Sequence, residues 1–288
     1  MSKLLFGCGY LGRRVACRWL GCGDEVHVVT RTSKRANELT TMGLRPVVAD
    51  ICSPDSLASI PTDVETIVFA VGFDRDGGKS IHHVYVDGLN HVLRGLGDWE
   101  GRFIYISSTG VYGQTDGEWI DEDSPCQPQR EGGRACLAAE QLLAGHPIGQ
   151  RTNILRLGGI YGPGRVPRRQ QIANGEPIAV PSHGMLNLIH VDDAAEIVLA
   201  VEQQAPAPRT YLVTDNKPVL RRDYYREVTR LFDLPEPKFV DPPCDAPAAI
   251  RATSDKRICN RRLVTELDVA LRYPTYREGL ASVVAAEG

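Results

Sequence analysis

Six residues close to the N-terminus narrow the choice of fold more than any others. Gly7-Cys8-Gly9-Tyr10-Leu11-Gly12 reads GxGxxG. The pattern alone is common, and its context gives it meaning. An apolar run at residues 3–6 precedes it and reads as a buried strand. Residues 10–20 follow with Leu11, Val15 and Trp19 on one helical face, and residues 25–30 (EVHVVT) read as a second strand. In a strand–turn–helix–strand unit the first glycine makes the tight turn. The second lets the backbone approach a pyrophosphate, and the third packs helix on strand. The helix start then offers N–H groups and positive potential to phosphates.

The alternation continues. Residues 45–49, 66–71, 102–106 and 152–157 read as further strands, and residues 33–42, 80–96 and 134–144 as helices, with Ser33 as the expected cap of the first of these. These strands are continuously apolar rather than alternating, as expected of a parallel sheet covered on both faces. The expected class is therefore α/β, a doubly wound parallel sheet of Rossmann type. The chain has 288 residues, more than one nucleotide-binding domain of roughly 150 needs, so a smaller second domain is expected. The later half is less regular. Residues 162–169 form a Pro/Gly/Arg loop, and residues 187–191 a short strand leading into a helix from Asp192, the expected N-cap. Residues 209–213 read as a strand and 221–232 as a helix. A proline-rich extended stretch covers 235–247, and residues 260–267 and 276–286 read as helices.

Composition removes several function classes. Lys+Arg is 33 against Asp+Glu 36, with no basic cluster, so nucleic acid is not an expected partner. The eight cysteines show neither CxxC spacing nor a histidine at metal-ligand distance. Neither a metal site nor a disulfide framework is expected. No apolar stretch approaches the length of a membrane span, and the N-terminus lacks a secretory signal pattern, so a cytoplasmic location is the expectation. The expected partner is a small-molecule substrate, with the chain a monomer or homodimer.

The end of the second strand reads cofactor type. A carboxylate there bonds the ribose 2′-OH of NAD, whereas an arginine pairs with the 2′-phosphate of NADP. This strand runs into Thr30-Arg31-Thr32-Ser33-Lys34-Arg35, with no carboxylate. The reading is NADP with Arg31 as the contact, NAD being the alternative.

Several segments, in order, resemble the extended short-chain dehydrogenase/reductase family of epimerases and dehydratases. Val48-Ala49-Asp50-Ile51 looks like its third-strand end, where the acid and its apolar neighbour contact adenine. Residues 103–113 (FIYISSTGVYG) are similar to its SSxxVYG strand. Residues 156–165 (RLGGIYGPGR) resemble its RxxxxYGPGR segment, and 187–194 (NLIHVDDA) its helix start. The resemblance implies a dinucleotide-binding domain over residues 1–160 plus 187–213, and a smaller C-terminal substrate domain over 161–186 plus 214–288. The candidate cofactor-binding residues are Gly7, Gly9, Tyr10, Leu11, Gly12, Arg31, Asp50, Ile51, Ala70, Val71 and Ser107. Tyr161, Arg165 and Asn187 are the candidate substrate residues.

One departure is decisive. The family uses a tyrosine as general acid/base and a lysine four residues later, which with the cofactor lowers the phenol pKa. Aligning its L-A-A-E-Q-L-L-like helix on residues 137–143 puts Gly132 at the tyrosine position and Cys136 at the lysine position. None of the six lysines has a tyrosine four residues upstream. The pattern resembles the atypical, YeeZ-like subgroup. Ser108 matches the hydroxyl that orients the substrate oxygen. Tyr85, at the position of a family asparagine, is the candidate replacement acid/base, with His82 and His83 beside it; packing and surface roles compete for all three. Cys136 near a helix start has a nucleophile reading, against which stands the plainer one of a small buried residue. Two functions stay open: an NAD(P)-dependent epimerase- or oxidoreductase-like enzyme acting on a sugar-like or nucleotide-linked alcohol or ketone, and a non-catalytic dinucleotide-binding regulator.

Overall fold

The computed structural model describes residues 1–242 and 254–287. Cys244, Pro243 and Pro247 lie outside them. The apolar runs form strands, most unbroken in β4 and least in the partly exposed β3: β1 (Ser2–Phe6), β2 (Glu25–Thr30), β3 (Arg45–Val48), β4 (Thr66–Phe69), β5 (Arg102–Ser108), β6 (Thr152–Leu157) and β7 (Arg209–Val213). They make one seven-stranded sheet in the order β7-β6-β5-β4-β1-β2-β3. β1 pairs in parallel with β2 and β4, β2 with β3, and β4 with β5. The strand order turns outward from β1 in both directions, as in a doubly wound sheet.

Between these strands run α1 (Gly12–Gly21), α2 (Ser33–Thr41), α3 (Gly88–Leu96), α4 (Glu131–Ala144) and α5 (Val191–Gln204). One face of the sheet packs Leu4, Phe6, Ile67, Phe69, Phe103 and Tyr105 against Leu89, Val92, Leu93 and Leu96 of α3 and Ala139 and Leu143 of α4. Burial of this kind stabilises by roughly 25 cal/mol per Å² of apolar surface, which is why these short strands need no alternation.

Three local expectations change. The cap of α2 is Thr32, whose hydroxyl accepts from Arg35 N; Thr32 is the extended residue before the helix, and Ser33 is already inside it. Asp192 likewise lies within the first turn of α5, and the backbone N–H of Asp192 donates to His190 Nδ1. The expected single helix over 80–96 opens with a π-helical turn, His83–Asp87, before α3. Here Gly88 runs against Ile51: a Cβ on Gly88 would lie 2.7 Å from Ile51 Cδ1. Helical insertions of this type are frequent at functional sites.

The chain divides into two compact units. The first comprises Met1–Ser108, Glu131–Arg156 and Ala195–Tyr211; the second comprises Thr109–Arg130, Leu157–Ala194 and Leu212–Gly288. The second unit has its own core of Tyr161, Ile172, Ile178, Leu188, Tyr224 and Leu280 with their neighbours. It is built from α6 (Arg221–Phe232), α7 (Arg261–Leu267), α8 (Tyr276–Glu287) and two-stranded pairings. Within the proline-rich stretch, Phe239–Val240 pairs in parallel with Ile178–Ala179. Arg257–Ile258 pairs in parallel with Trp119–Ile120.

Candidate functional site

The glycine loop is built as its spacing demands. Gly7 has φ 93°, and a Cβ there would sit 2.3 Å from Ala70 O. A Cβ on Gly12 would meet Gly7 O at 2.2 Å, whereas one on Gly9 would meet nothing within 4 Å. The first and third glycines are therefore required by packing, and the second faces open space. Ala70 and Val71, at the end of β4, form the floor under Gly7. Leu11 precedes α1, and no side chain caps that helix. Neither α1 nor α2 carries an acidic residue in its first turn. Arg14 lies over the Tyr10 ring at 4.5 Å and donates to Tyr10 O.

Arg31, Arg35 and Lys79 near the loop are each paired with a carboxylate: Asp74, Glu38 and Asp50. The Cys8 thiol, pushed up to about 11 chiefly by burial, feels the guanidinium groups of Arg35 and Arg13. Arg35, near the start of α2, pairs with Glu38 on the same helix at 2.5 Å, and the sequence reading did not single it out. Arg31 is well exposed and pairs with Asp74 at 3.0 Å, holding that carboxyl below its ordinary range. Asp50, at the end of β3, accepts from Cys52 N and from Lys79 Nζ at 2.8 Å. Burial raises its carboxyl, but Lys79 and the Cys52 amide outweigh that, and it lies below its ordinary value. Ile51 is buried, and its carbonyl accepts from His91.

Glycine loop, open second glycine, uncapped helix start and flanking arginines fit the pyrophosphate of a dinucleotide. The sequence profile of the NAD dependent epimerase/dehydratase family matches residues 4–214. This chain belongs to that family. It is similar to Protein YeeZ of Escherichia coli (strain K12), at 26% identity over 95% of this chain and 97% of that one. A functionally unknown conserved protein from Silicibacter pomeroyi DSS superposes with TM-score 0.82 at 28% identity, over 99% of both chains. A dTDP-glucose 4,6-dehydratase from Bacillus anthracis, solved in complex with NAD, shares the fold with TM-score 0.81 at 17% identity, over 99% of this chain and 96% of that one.

The remaining motif residues of the first unit divide into scaffold and candidates. Ser107 is buried, and its hydroxyl donates to Glu140 Oε1 at 2.5 Å. Arg156 closes on the same carboxylate, Nη2 to Oε2 at 2.7 Å and Nε to Oε1 at 3.1 Å. The SSxxVYG strand, the AAEQLL helix and the RxxxxYGPGR segment of the family resemblance thus meet in one buried ion pair. Ser108, next along β5, is half-buried. Tyr85 sits in the π-helical turn with its ring edge-on to Phe73 at 6.4 Å. Burial, with the nearby Cys136 thiol, pushes its phenol upward. His83 bonds Asp87 at 2.9 Å, and His82 lies 3.9 Å from the same carboxylate. Gly132 and Cys136 fall on α4, with Cys136 buried. A Cβ on Gly132 would touch only Ile81, at 3.5 Å.

In the second unit Tyr161 is fully buried, its ring edge-on to His190 and its hydroxyl against Gly279. Burial drives its pKa upward. Arg165 forms a bridge with Gly162 and is exposed. Asn187 spends both ends of its amide on the 256–258 backbone: Nδ2 donates to Lys256 O at 2.9 Å and Oδ1 accepts from Ile258 N at 2.8 Å. Asp193, missed by sequence reasoning, accepts from Arg272 N and Tyr273 N. Asp215 is 1% exposed and is pushed up to about 7 by burial. No helix of the described residues is long and apolar enough to cross a membrane, and none of those residues groups as a metal site. The seven described cysteines are free thiols.

Proposed function

We propose that this protein binds NADP through the glycine loop and acts as an epimerase- or oxidoreductase-like enzyme on a sugar-like or nucleotide-linked alcohol or ketone. The observation that carries the reading is the open space over Gly9, set between a fixed turn and an uncapped helix start. Gly7, Gly9, Tyr10, Leu11 and Gly12 hold the pyrophosphate, and Asp50 and Ile51 take the adenine end. Arg31, with Arg35 beside the loop, meets a 2′-phosphate. The nicotinamide, when bound, supplies hydride transfer. Ser108 orients the substrate oxygen, and Tyr85 is the nearest candidate for the proton. A small molecule is the partner, the cytoplasm the location, and a monomer or homodimer the assembly.

A second reading, a dinucleotide-binding regulator without turnover, is favoured by one observation. A phenol serves as a base at neutral pH only if its pKa is lowered, as by a cation, and at Tyr85 burial and Cys136 outweigh the lowering hydrogen bond with the Phe73 backbone.

Calorimetric titration of NADP and NAD into the full chain tests the cofactor assignment, and turnover assays separate the two readings. Arg31→Ala is expected to weaken NADP about tenfold or more, the loss of a charge-assisted bond of about 1.5–3 kcal/mol, and to leave NAD unchanged. Asp74→Ala, which frees Arg31, is expected to tighten NADP. Tighter binding of NAD, indifferent to Arg31→Ala, would refute the NADP assignment. Cofactor absorbance changes across a panel of carbinols and ketones, lowered by Ser108→Ala, support the enzyme. Cofactor binding with no turnover on that panel supports the regulator.

A further inference from the structure

A lysine that sequence reasoning did not single out is the most unusual charge in the second unit. Lys256 is 5% exposed. Its Nζ donates to Tyr112 O at 2.8 Å and to Ser254 Oγ at 3.1 Å. An ammonium has three N–H donors, and these two acceptors are neutral. Among the described residues no carboxylate pairs with it. The one charge acting on it is the Arg130 guanidinium, of the same sign, which with burial pulls the lysine down to about 8. Buried charges are ordinarily paired. Here a second cation of the same unit acts on the buried lysine.

Both line a small, partly open cleft whose other walls include Gly110, Gly113, Thr115 and Gln129. The frame around it is fixed. Asn187 clips the 256–258 backbone at two points, and Arg257 N donates to Glu118 O at 2.8 Å as part of the strand pairing. Gly113 admits no side chain, since a Cβ would collide with Gln127 O. A framed cleft lined by two cations, one of them buried and held by a backbone carbonyl and a hydroxyl, matches the site of an oxyanion oxygen.

We propose that the Lys256–Arg130 cleft is a binding site for an oxyanion, a carboxylate or phosphate group carried by a small-molecule ligand. The anion takes the third Lys256 donor and the Arg130 fork, and supplies the negative charge that the described structure lacks. The site lies wholly within the second unit and does not depend on the dinucleotide reading.

The test uses the full chain with pyrophosphate and malonate as probes, followed by titration calorimetry and thermal unfolding. The wild type is expected to bind at least one probe with a rise in unfolding temperature. Because the glycine loop offers pyrophosphate a second place, only a pyrophosphate response lost in Arg130→Gln or Lys256→Met identifies a phosphate-bearing ligand of this cleft, and a malonate response lost in the same variants a carboxylate-bearing one. Lys256→Met and Arg130→Gln are each expected to weaken that binding at least tenfold and to leave NADP affinity at its wild-type value, so the two readings fail separately. No response to either probe in the wild type overturns the proposal. So does wild-type affinity in Arg130→Gln, which retains the buried lysine and carries the test if Lys256→Met does not fold.

Discussion

The two units treat their buried polar groups differently. In the first unit the buried charged side chains meet opposite charges. Glu140 is held by Arg156 and Ser107. Lys3, 3% exposed, meets Glu202 at 2.6 Å, and Trp19 Nε1 donates to the other oxygen of Glu202. In the second unit Lys256 has no described counter-charge. Asp215 is almost fully buried, with one oxygen accepting from Lys217 N, and the Tyr161 and Tyr224 hydroxyls find no hydrogen-bond partner among the described residues. A satisfied buried network fixes a scaffold, whereas an unsatisfied one costs stability and is retained where something else uses it. On this contrast the first unit is a satisfied scaffold, and the second carries the buried groups left without a described partner.

The largest effect that would break the contrast is loss of the Glu140–Arg156 pair. Removing one partner of a buried ion pair strands the other charge, at a cost of about 3–5 kcal/mol. Arg156→Met should therefore lower the denaturant midpoint strongly. The double change Glu140→Leu with Arg156→Met should recover most of that loss. A small single-variant effect would show that the first unit does not depend on its paired charges.

The Asp215 prediction tests the other side. Its folded pKa stands near 7, above the ordinary 3.8, because burial disfavours the carboxylate and Glu278 and Asp193 add repulsion. Between these values the folded chain keeps a proton that the unfolded chain has released. Stability is therefore full at about pH 4 and falls as the pH rises through 7. A shift of this size corresponds to about 4 kcal/mol. Asp215→Asn removes the titration and should flatten the profile between pH 4 and 8, as read by unfolding at a series of pH values.

This division also explains how far the residues alone could be read. The sheet was legible because its strands are largely apolar runs and its glycines have backbone reasons to be glycine: Gly7 with a positive φ and no room for a Cβ, Gly12 pressed on Gly7 O. The glycine loop was legible for the same reason. The roles of Ser107, Glu140 and Arg156 were not, because a motif residue that holds a scaffold is spelled like one that touches a ligand; only the 2.5–3.1 Å contacts separate them. Thr32 and Ser33 are adjacent hydroxyl residues, and only the backbone angle at Thr32 says which one caps α2. Lys256 and Arg130 stand 126 positions apart, in segments without periodicity, and the 119–120 and 257–258 strand pairing places those segments side by side. A long-range pairing of two-residue strands leaves no signal in sequence. The Pro-rich stretch gave only its extended character, part of which is the strand at Phe239–Val240.

The smallest expected effect has the opposite sign and sharpens the comparison within the second unit. Lys256 is lowered from 10.5 to about 8, first by burial and then by Arg130. Between these values the unfolded chain binds a proton that the folded chain has lost. Stability should therefore rise as the pH goes from 8 to 10.5, by about 3 kcal/mol for a shift of this size. Asp215 and Lys256 thus tilt the stability profile of one unit in opposite directions over adjoining pH ranges, with a minimum near neutrality where both are charged and buried. Lys256→Met should abolish the alkaline rise and leave the Asp215 slope in place. Saturation with the bound anion should do likewise, because an oxyanion beside the ammonium restores its charged form. If the rise survives in Lys256→Met, the lysine is not the group that makes the second unit costly to fold at neutral pH.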